Sequence, residues 1–206
     1  MTGSFIARSP YASNAGAAGV AEASNGTRGV VAAERDGLGI ATVLARAGQI
    51  ATLERRCRED FGIDLPREPR RAVSNDLSIA GTGPEAWLAI RERGGNAFAS
   101  SLASALDGCA SVSDQSDSYA VLRLNGPKVR QTLAKLVPID VHDRAFPVGA
   151  VAGTVAAHMG ALLWRLDDEE GTAVFELAVF RSMAGSLWHA LASCAAEFGL
   201  VLDDRH

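Results

Sequence analysis

The chain has 206 residues, of which 48% are apolar and 21% charged, and its formal net charge is −4 at pH 7. That length suits one large domain or two small, closely packed modules, with enough apolar residues for a continuous core. The acidic balance argues against a nucleic-acid binder, and no stretch approaches the roughly 20 unbroken apolar residues of a membrane-spanning helix.

Residues 1–36 are rich in Ala, Gly, Ser and Asn, with turn signals at Asn25-Gly26 and Asp36-Gly37. They lack helical or strand periodicity and read as an extended N-terminal arm. Phe5, Ile6, Tyr11, Val30 and Val31 would be wasted on solvent, so the arm is expected to order against a partner surface if it orders at all. The basic cluster from Arg67 to Arg71 is broken by Pro69 and reads as a solvated or partner-facing loop.

A regular order of elements begins at residue 37. Ile40 to Arg46 predicts a strand, and Ile50, Leu53, Cys57 and Phe61 recur at helical spacing up to Gly62. Short strands at Leu77–Ala80 and Ala86–Ile90 flank a turn at Gly81-Thr82-Gly83-Pro84, before a helix over Ala97–Leu106 and a strand opening at Ala110–Val112. A similar order returns after residue 114. Tyr119–Leu124 predicts a strand, and Pro127 is suited to the first position of a helix with Val129, Leu133 and Leu136 on one face. Val151–Leu166 and Thr172–Phe180 read as the longest strand pair. The acidic run Asp167-Asp168-Glu169-Glu170-Gly171 forms its solvated tip, since nothing holds the carboxylates convergent for a metal. Ser182 is the N-cap candidate of a last helix that ends before Gly199. The expected class is α+β, two ferredoxin-like β-α-β-β-α halves packed together (37–113 and 114–206) behind an arm over 1–36.

Three cysteines, Cys57, Cys109 and Cys194, are odd in number and widely spaced, as free thiols of a reducing, cytoplasmic compartment would be. The small, polar N-terminus gives no expectation of a signal peptide. The residues offer little chemistry. His142, His158, His189 and His206 have no local nucleophile or orienting partner. There is no Cys-x-x-Cys and no His-Glu-x-x-His, and Gly37-x-Gly39 precedes a strand instead of following one, the reverse of a dinucleotide site. No catalytic, cofactor-binding or metal-binding residue is assigned.

The segment Asp114-Gln115-Ser116-Asp117, then Ala120-Val121-Leu122-Arg123-Leu124-Asn125-Gly126-Pro127 and Leu133-Ala134-Lys135, resembles a passage of the folate-binding aminomethyltransferase family. Further motifs are similar to the sarcosine oxidase gamma family: Pro138-Ile139-Asp140-Val141-His142, Arg144-Ala145-Phe146-Pro147, Leu162-Leu163-Trp164-Arg165, Phe175-Glu176-Leu177-Ala178-Val179 and Ser186-Leu187-Trp188. The resemblance implies a shortened aminomethyltransferase-type folate-binding fold. It also implies a non-catalytic place beside alpha, beta and delta subunits in a complex that oxidises sarcosine to glycine. FAD, FMN, NAD, zinc and tetrahydrofolate would then be carried by the other subunits and none by this chain. Trp87, Trp164, Phe146 and Arg144 are the candidates for partner contact, because aromatic and Arg side chains concentrate binding energy; Trp188 reads as core. A free-standing folate-dependent aminomethyltransferase and a small-molecule-binding regulatory module remain alternatives at this point.

Overall fold

The computed structural model describes residues 9–11, 28–95 and 97–203; the rest of the expected arm and His206 lie outside the described residues. Several strands are apolar on both sides of the chain, and a sheet built from them must be covered on both faces. Four layers meet that demand. A five-stranded antiparallel sheet contains, in spatial order, β3 (Arg71–Ser74), β4 (Leu77–Gly83), β5 (Ala86–Arg91), β2 (Gly39–Ala45) and β6 (Ala110–Asp114). A six-stranded sheet runs β11 (Leu200–Asp203), β1 (Val30–Glu34), β7 (Tyr119–Asn125), β10 (Phe175–Phe180), β9 (Met159–Arg165) and β8 (Val151–Ala156). All its neighbours are antiparallel except the pair β1 and β11.

The two sheets pack face to face through Ile40, Leu88 and Ile90 on one side and Val121, Trp164 and Ala178 on the other. Helices α1 (Ile50–Phe61) and α2 (Ala97–Ala105) cover the outer face of the five-stranded sheet, burying Leu53, Cys57, Phe98 and Leu102 against Val43, Ile79 and Ala89. Helices α3 (Val129–Leu136) and α4 (Ala184–Ala195) cover the six-stranded sheet, where Leu133, Leu187, Trp188 and Leu191 meet Leu122, Phe175 and Leu177. Odd and even residues of each central strand therefore enter different cores, which is why their sequences do not alternate.

The halves repeat more fully than the sequence suggests. Each runs β-α-β-β-β-α-β, one strand longer in the middle than expected and closed by a further strand. Their sheet orders superpose, with β3, β4, β5, β2 and β6 answering to β8, β9, β10, β7 and β11. The one difference is β1, which lies between β7 and β11 where β2 and β6 pair directly.

This corrects the described end of the expected arm. Its last residues are not extended outward but form β1, with Val30 and Ala32 buried under the helices. Tyr11 is also interior, its ring 6.4 Å from that of Trp188. The predicted strand Val151–Leu166 is two strands joined at Ala157 and His158, both with positive φ (45° and 72°), the backbone of a two-residue hairpin. Neither residue is a usual turn former there, so the sequence carries no signal for it, and His158 stands at a turn instead of mid-strand. Gly81-Thr82-Gly83 belongs to β4, across a register shift, and the chain turns at Pro84-Glu85. Pro127 lies in the turn before α3, and Ser182 lies in a 3-10 turn (Arg181–Met183) ahead of α4 and caps nothing.

Gly126 sets the corner from β7 into α3. Its φ is +112°, and a Cβ there would come 2.6 Å from the carbonyl oxygen of Gly29, which immediately precedes β1. The same carbonyl accepts the Lys128 N–H at 2.9 Å. Gly126→Ala must therefore strain the backbone and push β1 away from the corner. The expected loss is more than about 1 kcal/mol, read by urea denaturation of the whole chain; stability within ~0.5 kcal/mol of the parent would contradict this account.

Candidate functional site

Polar residues that fall in phase with buried apolar ones are the informative feature of this interior. Glu176 of β10 is one, only 4% exposed. It points between the sheets, and its oxygens collect four hydrogen bonds. Oε1 accepts from Arg35 Nε at 2.8 Å and from Arg123 Nε and Nη2 at 3.1 and 2.9 Å. Oε2 accepts from Trp164 Nε1 at 2.7 Å. Arg35 also pairs with Glu92, which follows β5 of the other sheet. Arg123 also reaches Glu169 at 3.5 Å.

Two guanidinium groups respond to this setting. Burial works to lower the pKa of Arg35, but Glu176 and Glu92 outweigh it and hold the charge above its ordinary value. Arg71 lies in the same field. There burial prevails, with Arg123 adding repulsion, and the pKa falls despite Glu176 and Glu92.

The opposite face of the same strand pair carries a second cluster. Glu176 pairs across the ladder with Trp164, and the neighbouring Phe175 pairs with Arg165. Arg165 is 1% exposed; its Nη1 donates to the Leu166 and Val174 carbonyls at 2.6 and 2.9 Å, and Asp168 binds its Nη2. The Arg165 guanidinium lies 4.9 Å from the Phe175 ring centroid and that of Arg130 5.8 Å from it, while Phe146 stacks on Phe175 at 6.3 Å. The acidic tip is exposed, as expected, and is tied at Asp168 to Arg165 and at Glu169 to Arg123. It turns at Glu170 and Gly171, both at positive φ.

These contacts place the four residues predicted for partner contact. Trp164 is not at the surface but between the sheets, held by Glu176. Trp87 is buried under α1 and donates to the Pro66 carbonyl at 2.7 Å. Phe146 is interior on the helix side of the six-stranded sheet. The three occupy three separate cores: Trp87 and Trp164 stand in strands at positions covered by the next layer, and Phe146 packs from the loop before β8 onto Phe175. Arg144 alone is exposed. Glu176, Arg35 and Arg123 went unnoticed in the sequence, although a Glu within Phe-Glu-Leu-Ala-Val and an Arg within Tyr-Ala-Val-Leu-Arg-Leu were visible as charges within apolar strands.

A cleft of about 350 Å³ opens beside the cluster, lined by Ser9, Glu34, Arg35, Ser116, Tyr119 and Arg181 among others. Burial raises the Glu34 pKa; the Ser9 hydroxyl, which donates to it, lowers it, and Asp36 raises it further. Burial also pushes the Tyr11 phenol and the Cys57 thiol up, the latter to about 12, so neither supplies an anion at neutral pH. His142 and His189 are exposed, and among the described residues no three metal-ligating side chains converge. What the arrangement does chemically is bracing. Glu176 binds arginines that stay charged at all relevant pH, and its donors leave no room for a substrate proton.

Two outcomes follow. Glu176→Ala should cost about 3–5 kcal/mol, because it takes their buried partner from two arginines and leaves them only the exposed Glu92 and Glu169; a loss under ~1 kcal/mol in denaturant titration would mean the brace is slack. The raised pKa of Glu34 means the folded state binds its proton more readily than the unfolded chain. Its stabilising share is full below the ordinary carboxylate range and is lost as pH rises through the folded pKa. Glu34→Gln should therefore raise the melting temperature at pH 7 and leave it unchanged near pH 4; a gain confined to acid would reverse the sign and refute it.

The model of the sarcosine oxidase, gamma subunit family matches residues 50–197. Sarcosine oxidase subunit gamma from Corynebacterium sp. (strain P-1) is 34% identical over 116 residues, 54% of this chain and 56% of that protein. The Arthrobacter sp. subunit is 33% identical over 112 residues, 53% and 55% of the two chains. The alignments thus span a little over half the length of these relatives. A chain in the heterotetrameric sarcosine oxidase of Corynebacterium sp. U-96, solved with pyrrole 2-carboxylate, superposes with a TM-score of 0.80 at 27% identity, over 94% of this chain and 97% of that one. The glycine cleavage system aminomethyltransferase T of Bartonella henselae shares the fold alone, with a TM-score of 0.60 at 14% identity over 85% of this chain and 48% of that one. With the family model covering well over half its length, the chain belongs to the sarcosine oxidase, gamma subunit family.

Proposed function

We propose that this protein is a non-catalytic subunit of a heterotetrameric sarcosine oxidase, in which it supports the chains that demethylate sarcosine to glycine. The observation that carries this reading is the near end-to-end superposition on a chain of such a complex. The reading assigns alpha, beta and delta chains as partners, and places FAD, FMN, NAD, zinc and tetrahydrofolate on them.

The interior supports this division of labour. A pterin or flavin site needs a largely apolar slot with stacking rings and a few aimed polar groups. The cleft beside Glu34 mixes apolar side chains such as Leu38, Ile40 and Val121 with charged ones, and Tyr119 is its one aromatic ring among the described residues. Glu176, the most buried carboxylate described, spends its oxygens on Arg35, Arg123 and Trp164.

Co-expression with tagged alpha, beta and delta chains tests the reading. The expected result is co-purification of this chain in a yellow complex that consumes oxygen with sarcosine, and a drop in recovered complex when this chain is left out. Sarcosine turnover or tight folate binding by this chain in isolation would refute the non-catalytic assignment.

A further inference from the structure

Arg71 is a half-buried charge that the brace on Glu176 does not pair. It opens β3, where its register partner is Ala80, a residue of the core between the sheets. Directly opposed residues of an antiparallel pair share a face, so the Arg71 side chain enters the space between the sheets. Its backbone N–H is satisfied by the Gly149 carbonyl at 2.7 Å. Its guanidinium is not satisfied. The Nε is closed to bulk water, and no hydrogen bond or ion pair joins the group to any described residue.

The carboxylates around it are committed elsewhere. Glu176 gives its oxygens to Arg35, Arg123 and Trp164, and Glu92 accepts from Arg35. Glu176, Glu92 and Asp167 attract Arg71 through the field alone, Arg123 repels it, and burial outweighs the attraction. A buried cation with unmade hydrogen bonds lowers stability, so this one calls for an acceptor. Arg123 has capacity to spare beside it, since its Nη1 reaches Glu169 only at 3.5 Å. The rim is open there as well: Val73, two residues along β3 and on the same face, is 54% exposed.

The chemistry of the acceptor follows from the donors. The Nε–H and one Nη–H of a guanidinium form a planar fork whose complement is the two oxygens of a carboxylate. Water takes one N–H and leaves the charge uncompensated. A dianion would bring a second negative charge towards Glu92, Glu169, Glu176 and Asp167. A monoanion with two coplanar oxygens meets both conditions.

We propose that Arg71, with Arg123 beside it, is a binding site for a small monocarboxylate at the rim between the two sheets. The carboxylate takes the Arg71 fork and turns its second oxygen towards Arg123. This goes beyond the subunit reading and does not depend on it.

The test uses the purified full chain with sodium acetate as probe and sodium chloride at matched ionic strength as reference. Acetate should raise the melting temperature at least about 2 °C above chloride. Arg71→Met removes the fork and keeps an unbranched stem. It should lose the acetate-specific shift, while general salt effects stay common to both proteins. In chloride it should melt above the wild type, because an unpaired interior charge is gone. Independently of any variant, one arginine Nε–H resonance of the wild type should move saturably with acetate and not with chloride. Absence of such a resonance would overturn the proposal, as would an acetate-specific shift that Arg71→Met retains. An Arg71→Met chain that melts lower in chloride would make Arg71 a paired member of the brace and overturn it too. A larger Arg71-dependent shift with sulfate than with acetate would overturn the monocarboxylate class.

Discussion

Glu176 sits where the whole arrangement of strands is decided. From β10 it holds Arg123 on one neighbouring strand and Trp164 on the other, and it reaches past β7 to Arg35 at the end of β1. Arg35 in turn grips Glu92 on the second sheet. One carboxylate thereby relates four strands of its own sheet and, through a shared guanidinium, the opposing one. Buried ion pairs return little net stability compared with apolar packing of the same volume. Their consequence here is geometric. Ile40, Leu88, Ile90, Val121 and Ala178 could interdigitate at several offsets, whereas a carboxylate with four directed donors accepts one.

The near-repeat of the two halves gives that brace a second meaning. In the five-stranded sheet β2 pairs directly with β6. In the six-stranded sheet β1 enters between the equivalent strands, antiparallel to β7 and parallel to β11, so all strand directions are preserved. A strand from the N-terminal side of the first half is thus built into the second. The residue that follows it, Arg35, is the one that spans both sheets. The inserted strand and the ionic brace are the same device seen at two scales, and together they make the halves inseparable without loss of a buried partner.

How much of this the sequence disclosed depends on where each signal resides. The helices at Leu53–Cys57 and Leu133–Leu136 and the strands around Ile40, Leu88 and Leu122 are readable because one or both faces are apolar. β3, with Arg71 and Ser74, and β11 were silent, since what makes them strands is pairing with distant segments and not their own composition. The hairpin at Ala157-His158 was silent for another reason: positive φ there is imposed by the strands on either side, not requested by a Gly or Asn. The motifs that carried the resemblance, Leu-Leu-Trp-Arg and Phe-Glu-Leu-Ala-Val, proved to be paired segments of β9 and β10. Their odd residues, Trp164, Arg165 and Glu176, are odd because they brace two faces of one sheet. Trp87, Trp164 and Phe146, expected at a partner surface, are interior, whereas Trp188, read from its place beside the apolar stripe of its helix, lies in the core as expected; phase relative to neighbours was the better guide.

The brace and the uncovered end of the same strands are separated by little distance in this fold. Tyr119 and Phe180 stand on the same two strands as Arg123 and Glu176, four residues along each. The brace therefore fixes not only how the sheets meet but how far the uncovered end projects beyond them. A surface whose shape is set before association loses less conformational freedom on binding than one that must be ordered by its partner. A chain with its strongest polar groups consumed internally can contribute to a complex in this way without contributing any chemistry. Its charges hold a rigid edge in position.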